Sequence, residues 1–227
     1  AGRSRVLSLA LSALFVLSCA GSQQPGADEP KASRKAEAPV DPLPSWNDTA
    51  TKAKLLDFVR AVTDPDDTGF VEPEARIATF DNDGTLWVEQ PLYAEMAFAL
   101  HRVQDLAKVH PEWKTQQPFQ AVIEGDWAAI IEAGSRGLVE IVVASHTGMS
   151  ATLFETIVTE WVRDARHPKF ETPYTELAYQ PQLELLRYLE ANSFKVFIVS
   201  GGSVEFIRTY AEQIYGIPRE QVVGSSI

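Results

Sequence analysis

A single cysteine, Cys19, in 227 residues leaves no partner for a disulfide within the chain. Basic residues are the minority, 20 Lys and Arg against 31 Asp and Glu, for a formal charge of −11 and a pI near 4.8. There is no basic stripe to follow a nucleic-acid backbone, and a surface this acidic repels phosphate over most of its area. The balance argues against DNA or RNA and leaves small molecules open. A phosphate ester would need local compensation from a metal cation and backbone N–H groups. No apolar run reaches the roughly 20 residues of a membrane-spanning helix. Internal repeats and glycine-rich nucleotide loops are missing too. No Gly-x-Ser-x-Gly surrounds Ser145-His146, and His101, His110, His146 and His167 lack metal-ligand spacing, so each reads as a surface or cap residue. What is present is ordinary globular usage, 45% hydrophobic and 22% charged, enough for a packed core in one medium domain or a domain with an insert.

The first segments read as an address and a tether. Arg3 and Arg5 precede an apolar run from Val6 to Leu17, followed by Ser18, Cys19, Ala20 and Gly21. That is the layout of a secretory signal. Val16-Leu17-Ser18-Cys19 also resembles a bacterial lipobox, whose cysteine is lipidated, although Leu17 is bulkier than the motif usually has there. Two readings stay open, a lipid anchor at Cys19 and an ordinary cleaved signal with an incidental cysteine. Residues 22–45 carry Pro25, Pro30, Pro39, Pro42 and Pro44 among Ala, Lys and Glu, so a disordered spacer is expected. The expected location is outside the cytoplasm, on the periplasmic or cell-envelope side.

From Trp46 the texture alternates between helical and strand-like. Leu55, Leu56, Val59 and Val62 predict an amphipathic helix ending near Asp64-Pro65. Arg76 to Phe80 is a buried-type strand, and Asp81-Asn82-Asp83-Gly84-Thr85 is a turn. Helix-period residues recur over 92–109, 119–133 and 150–163, with Ser150 a candidate N-cap. Leu138 to Ala144 fits helix or strand. A helix over 182–192, a strand over 195–199 ending at Ser200-Gly201-Gly202, and a helix from Ser203 to Tyr215 stopped by Gly216 follow. A third strand begins at Val222. The fold class is α/β, a parallel, incomplete Rossmann-like sheet with helices on both faces and an inserted helical cap. The expected divisions are 1–21 signal, 22–45 linker, 46–87 with 181–227 core, and 88–180 cap.

The chemistry concentrates at two carboxylates spaced i and i+2 after an apolar strand. Open α/β sheets place their sites at the carboxyl ends of strands. Extended chain turns residues i and i+2 to the same side, so Asp81 and Asp83 both face the crevice. Two anions that close need a cation or a shared proton. Mg²⁺ suits an all-oxygen site of one or two carboxylates plus phosphate oxygens. The expected division of labour has Asp81 attacking phosphorus and Asp83 serving as acid and then base. Gly84 permits the tight turn, with loop N–H groups available to phosphoryl oxygens. The bland alternative is a solvated surface turn. A calcium loop is not supported, since Met96, Ala97 and Phe98 stand where its distant Glu would be sought. Glu89, Gln90 and Tyr93 follow closely enough to touch substrate. Trp87, Trp113, Trp127 and Trp161 read as packing the cap or lining its entrance.

Phe80-Asp81-Asn82-Asp83-Gly84-Thr85-Leu86 resembles the first motif of the haloacid dehalogenase superfamily. Phe197-Ile198-Val199-Ser200-Gly201-Gly202 is similar to its second. The resemblance covers roughly residues 77–227 and is closest to the phosphoserine-phosphatase-like branch. It implies Mg²⁺-dependent phosphomonoester hydrolysis through an aspartyl-phosphate on a small phosphorylated substrate. Asp81 and Asp83 would be catalytic and metal-binding, while Asn82, Gly84, Thr85, Ser200 and Gly201 would bind phosphate. Asp at position 83 favours phosphatases over dehalogenases. The family's lysine and later acidic pair have no match before Ile227. Lys195 starts its strand about 13 Å from the carboxyl end, and Arg208 lies inside its helix. A truncated chain is therefore the expectation, and the alternative function is a non-catalytic exported lipoprotein that keeps a partial scaffold as a binding module.

Overall fold

The computed structural model describes residues 40–226. The signal, Cys19 and residues 22–39 of the spacer lie outside the described residues. The last part of the spacer departs from expectation. Leu43 is 0% exposed inside the main core, and Ser45 donates its backbone N–H and its hydroxyl to the Glu184 carboxylate at 2.8 and 2.6 Å. One buried leucine and two bonds to a charged acceptor suffice to order a short proline-rich segment against its entropy.

Three parallel strands form the sheet in the order β1-β2-β3: β1 (Ile77–Phe80), β2 (Lys195–Ser203) and β3 (Val222–Ser225). The architecture is mixed α/β, an incomplete Rossmann-like sheet as expected. Alternation along the strands separates its faces. On one face Val196, Ile198 and Val222 are almost wholly buried, with Ala78 and Phe80 packed beside them. On the other, Ile77, Val199 and Val223 stay about half exposed, at 57, 46 and 51%. Helices on both faces were expected. Among the described residues only one face is covered, unlike most parallel sheets.

Helix α1 (Ala50–Thr63) buries Val59 and Val62 and stops at Asp64, because the residue before Pro65 disfavours helical backbone. Between β1 and β2 run α2 (Ala94–Leu106), α3 (Phe119–Glu124), α4 (Trp127–Glu132), α5 (Gly134–His146), α6 (Ala151–Asp164) and α7 (Gln180–Ala191). After β2 come α8 (Val204–Arg208) and α9 (Ala211–Tyr215). The ambiguous stretch 138–144 is helical within α5, which buries Gly137, Ile141 and Ser145 at four-residue spacing. Two expected helices are broken. The one over 119–133 divides where Gly125 turns left-handed at φ +70° and Asp126 caps α4 by accepting from the Ala129 N–H at 3.1 Å. The one from Ser203 to Tyr215 divides around Thr209, whose hydroxyl bonds the Phe206 carbonyl at 2.7 Å. Ser150 and Ser203 cap α6 and α8, and Gly216 ends α9 at φ +78°, all as the sequence predicts.

Two apolar clusters result. The first joins the sheet's covered face to α1, α6, α7, α8 and α9, with Leu86, Trp87 and Phe98 inside it. The second is built from α2, α3, α4, α5 and Trp113, and takes no residue from the sheet.

Candidate active site

The strand register decides whether the two motifs meet. Phe80 of β1 pairs with Ile198 of β2 in parallel, so Asp81 and Ser200 leave adjacent strands at the same end of the sheet. Neighbouring strands lie about 4.8 Å apart. Ser200-Gly201-Gly202 is not a free loop but the irregular end of β2, whose pairing with β3 shifts between Val199 and Ser203.

Asp81 is exposed, and its Oδ1 accepts from the adjacent Asn82 N–H at 2.7 Å, while Oδ2 has no hydrogen-bond partner among the described residues. Asp83 is half-buried. Burial raises its carboxyl pKa above the ordinary range, and the charges of Glu95 and Asp81 push the same way, while bonds from Trp87 and Asn82 oppose it. The Trp87 Nε1–H donates to Asp83 Oδ1 at 2.8 Å. Trp87 is itself buried and stacks on Tyr210 at 4.5 Å, so it packs the core beneath the acid pair rather than the cap. Trp113 does pack the helical insert, and Trp127 is exposed.

Asn82 was expected to bind phosphate. Its side chain is instead 0% exposed, donating to the Tyr210 hydroxyl at 3.0 Å and accepting from the Tyr215 hydroxyl at 3.2 Å. Alternation explains the inversion: if Asp81 and Asp83 face out, the residue between them faces in. Both phenols have pKa values raised well above normal by burial, so they stay neutral hydroxyls, Tyr210 accepting from Asn82 and Tyr215 donating to it.

The loop spends much of its own hydrogen-bonding capacity. The Gly84 N–H donates to the Trp87 carbonyl at 2.9 Å, and those of Thr85 and Leu86 donate to the Asn82 carbonyl at 3.2 and 2.8 Å. The cradle of loop amides expected around Gly84 and Thr85 is therefore largely used up by the turn. Gly84 is required there, since its φ is +71° and a Cβ would meet the Glu89 carboxyl carbon at 2.6 Å. Glu89 thus sits against the loop. Tyr93 is exposed, and Gln90 contributes its carbonyl to the buried His167 Nε2–H at 2.7 Å.

Ser200 is partly buried and its Oγ accepts from the Gly202 N–H at 3.2 Å, leaving its hydroxyl hydrogen to donate. Gly201 is exposed with open space around its α-carbon. The sequence gives no sign of the next contact. Glu95, from the first turn of α2, accepts the Ser203 N–H at 2.9 Å through Oε2, while Oε1 lies 3.1 Å from Nε2 of His146 on α5. Neither spacing nor motif links these three positions. His146 and His167, read as surface or cap residues, are both nearly inaccessible.

Neither basic candidate serves the acid pair. Lys195 pairs with Ile77 at the opposite end of the sheet. Arg208 is tied to the carbonyls of Arg219 and Val222 and to Glu205. Among the described residues no three His, Cys, Asp or Glu side chains converge as a ready metal cage. The donor set still fits Mg²⁺, which takes one or two carboxylates and completes its shell with water and substrate oxygens. A cavity of about 1090 Å³ lies elsewhere, walled by Phe98, Ile130, Trp161 and Tyr174, and neither Asp81, Asp83 nor Ser200 lines it.

The acid pair thus stands at the tip of a parallel α/β sheet, beside a serine on the next strand. Residues 75–226 match the haloacid dehalogenase-like hydrolase family, and the chain belongs to it. Among solved structures it is similar to a phosphoserine phosphohydrolase-like protein from Francisella tularensis subsp. tularensis SCHU S4. Identity is 19% over 66% of this chain and 57% of that one, with a TM-score of 0.36. The chain spans a little over half of that protein's length. No curated protein matches.

Proposed function

We propose that the chain carries the site of a phosphomonoester hydrolase for small soluble substrates, working through a phosphorylated Asp81. The observation that carries this reading is the contrast within the acid pair. Asp81 is exposed with an unspent Oδ2, the form a nucleophile needs, whereas burial lifts the pKa of Asp83 and favours its proton-carrying form. Unequal environments for two nearby carboxyls sort them into acid and nucleophile. Asp81 Oδ2 forms the bond to phosphorus as the P–O bond to the leaving group breaks. Asp83 gives its proton to the departing oxygen, then takes one from the water that cleaves the acyl phosphate. The Ser200 hydroxyl donates to a phosphoryl oxygen from the neighbouring strand. Asp81 would hold Mg²⁺, joined by Asp83 only once its proton has gone, and the ion when bound would neutralise phosphoryl charge.

The test is hydrolysis of p-nitrophenyl phosphate with Mg²⁺ by the full chain and by Asp81→Asn. Loss of about 10⁴-fold or more in kcat is expected, with the fold unchanged because Asp81 is exposed. Equal turnover by the two proteins would remove Asp81 from this role and leave a binding module. We also propose export and anchoring through a lipidated Cys19, on the strength of the basic, apolar and small-residue sequence around it. Cys19→Ser is expected to shift the protein from the membrane to the soluble fraction, and unchanged fractionation would defeat that reading.

A further inference from the structure

We propose that Glu95 and His146 form a charge-compensated strut by which the helical segment between β1 and β2 holds the Ser200–Ser203 turn open to an anion. This rests on the phosphoryl-binding reading of that turn. Glu95 stands at an awkward place for such a site, a carboxylate bonded directly to the turn that should receive a phosphoryl group. Its Oε2 takes the Ser203 N–H at 2.9 Å and lies 3.0 Å from where a Cβ on Gly202 would be, so a side chain there would push Glu95 back by a few tenths of an ångström. Its charge also reaches Asp83, where it raises the pKa after the larger effect of burial.

An uncompensated carboxylate here would repel the ligand that the turn is proposed to bind. The compensation comes from His146, whose side chain is 2% exposed and whose Nε2 sits 3.1 Å from Glu95 Oε1. The contact is an ion-pair approach off the line of a straight hydrogen bond. The surroundings of the two ring nitrogens identify the hydrogens they bear. The Ser145 hydroxyl donates to the Val142 carbonyl at 2.8 Å, so Ser145 Oγ and that carbonyl, 2.8 and 2.9 Å from Nδ1, both turn lone pairs to it and call for a hydrogen on Nδ1. Nε2 faces only a carboxylate oxygen, and a bare lone pair there would repel it, so the geometry assigns a hydrogen to Nε2 as well and the ring meets Glu95 as a cation. The ring is fixed by an edge contact to Phe98 at 5.6 Å and a tilted one to Phe154 at 4.8 Å. Glu95 and His146 come from α2 and α5, the two helices whose packing anchors the second cluster, so the insert reaches the turn through this pair alone among the hydrogen bonds to residues 200–203 in the described residues. Both are positioning residues, since neither touches the reacting atoms.

The pair makes a signed prediction, because charge and tether can be removed separately. His146→Phe keeps an aromatic ring in an aromatic pocket but leaves Glu95 uncompensated. Glu95→Gln keeps an acceptor for the Ser203 N–H and removes the charge. In the full chain, inorganic phosphate is the probe, titrated by calorimetry, and exchange of the Ser203 amide is followed by NMR. His146→Phe should weaken phosphate binding about 10-fold and speed Ser203 exchange, as expected for a lost partner of a buried charge. Glu95→Gln should bind phosphate at least as well as the parent. The double variant should recover parental affinity to within about 3-fold, although it contains the damaging substitution. Melting curves establish that each variant is folded, and Glu95→Gln with the double variant keeps the test decisive if His146→Phe alone fails to fold. Unchanged affinity and exchange in His146→Phe, no rescue in the double variant, or no phosphate binding by the parent would overturn the proposal. Failure of p-nitrophenyl phosphate turnover with these binding results intact would sink the catalytic reading alone.

Discussion

The two segments that make the site are held in opposite ways. The turn after β1 is fastened from beneath: Asn82 reaches two buried tyrosines, Trp87 grips Asp83, and Leu86 is sealed in the core. The irregular end of β2 is fastened from the side, by its own Ser200, by Ser225 of β3 and by one carboxylate from the helical insert. The acid pair therefore takes its geometry from the sheet's own core, which is rigid to the extent that the fold is. The end of β2 takes its geometry partly from its pairing with β3 and partly from that carboxylate on α2.

Substitutions can break this comparison. The largest effect is expected at Asn82. Asn82→Ala leaves the hydroxyls of Tyr210 and Tyr215 buried without their partner, and should cost about 2–5 kcal/mol in denaturant unfolding along with most of the activity. A loss below about 0.5 kcal/mol would mean the first turn is not anchored through the core. Gly84→Ala comes next. Forcing a side chain to φ +71° against the Glu89 carboxyl should cost about 1–3 kcal/mol.

Asp83 gives a smaller effect with a defined sign. Its folded-state pKa is raised, chiefly by burial, so the folded protein holds that proton more tightly than the unfolded chain. The resulting stability is fully present below the unfolded carboxyl pKa, about 3.9, and is lost as pH climbs through the raised folded value. At neutral pH the ionised group is a cost. Asp83→Asn should therefore raise the melting temperature at pH 7 while abolishing turnover, and the gap in melting temperature should close below about pH 4. A variant less stable at pH 7 would contradict the burial argument. The smallest effect belongs to the second turn. Gly201→Ala meets nothing within 4 Å and should change stability by no more than about 0.5 kcal/mol.

The sequence made the strands and the acid pair legible because both rest on short-range rules. β-Branched runs marked β1 and β2, and strand alternation put Asp81 and Asp83 outward. The same alternation turns Asn82 inward, yet motif resemblance had grouped it with its neighbours. Local signals also sufficed for the break at Gly125-Asp126, a left-handed glycine followed by an N-cap, where continuous apolar periodicity had suggested one helix. What no short-range rule could supply were long-range meetings: Glu95 with Ser203 and His146, Trp87 beneath Asp83, and Leu43 entering a core assembled much later in the chain. The exposed sheet face was equally hidden, since apolar residues at 77, 199 and 223 read the same whether covered or bare.

The central claim is that Asp81 carries the phosphoryl group. Mixing the full chain with a phosphomonoester and Mg²⁺, quenching in acid within the first turnover and mapping the peptides should find one phosphoryl group, on the peptide that contains Asp81. Turnover that leaves that peptide unmodified, or that labels another residue, would contradict it.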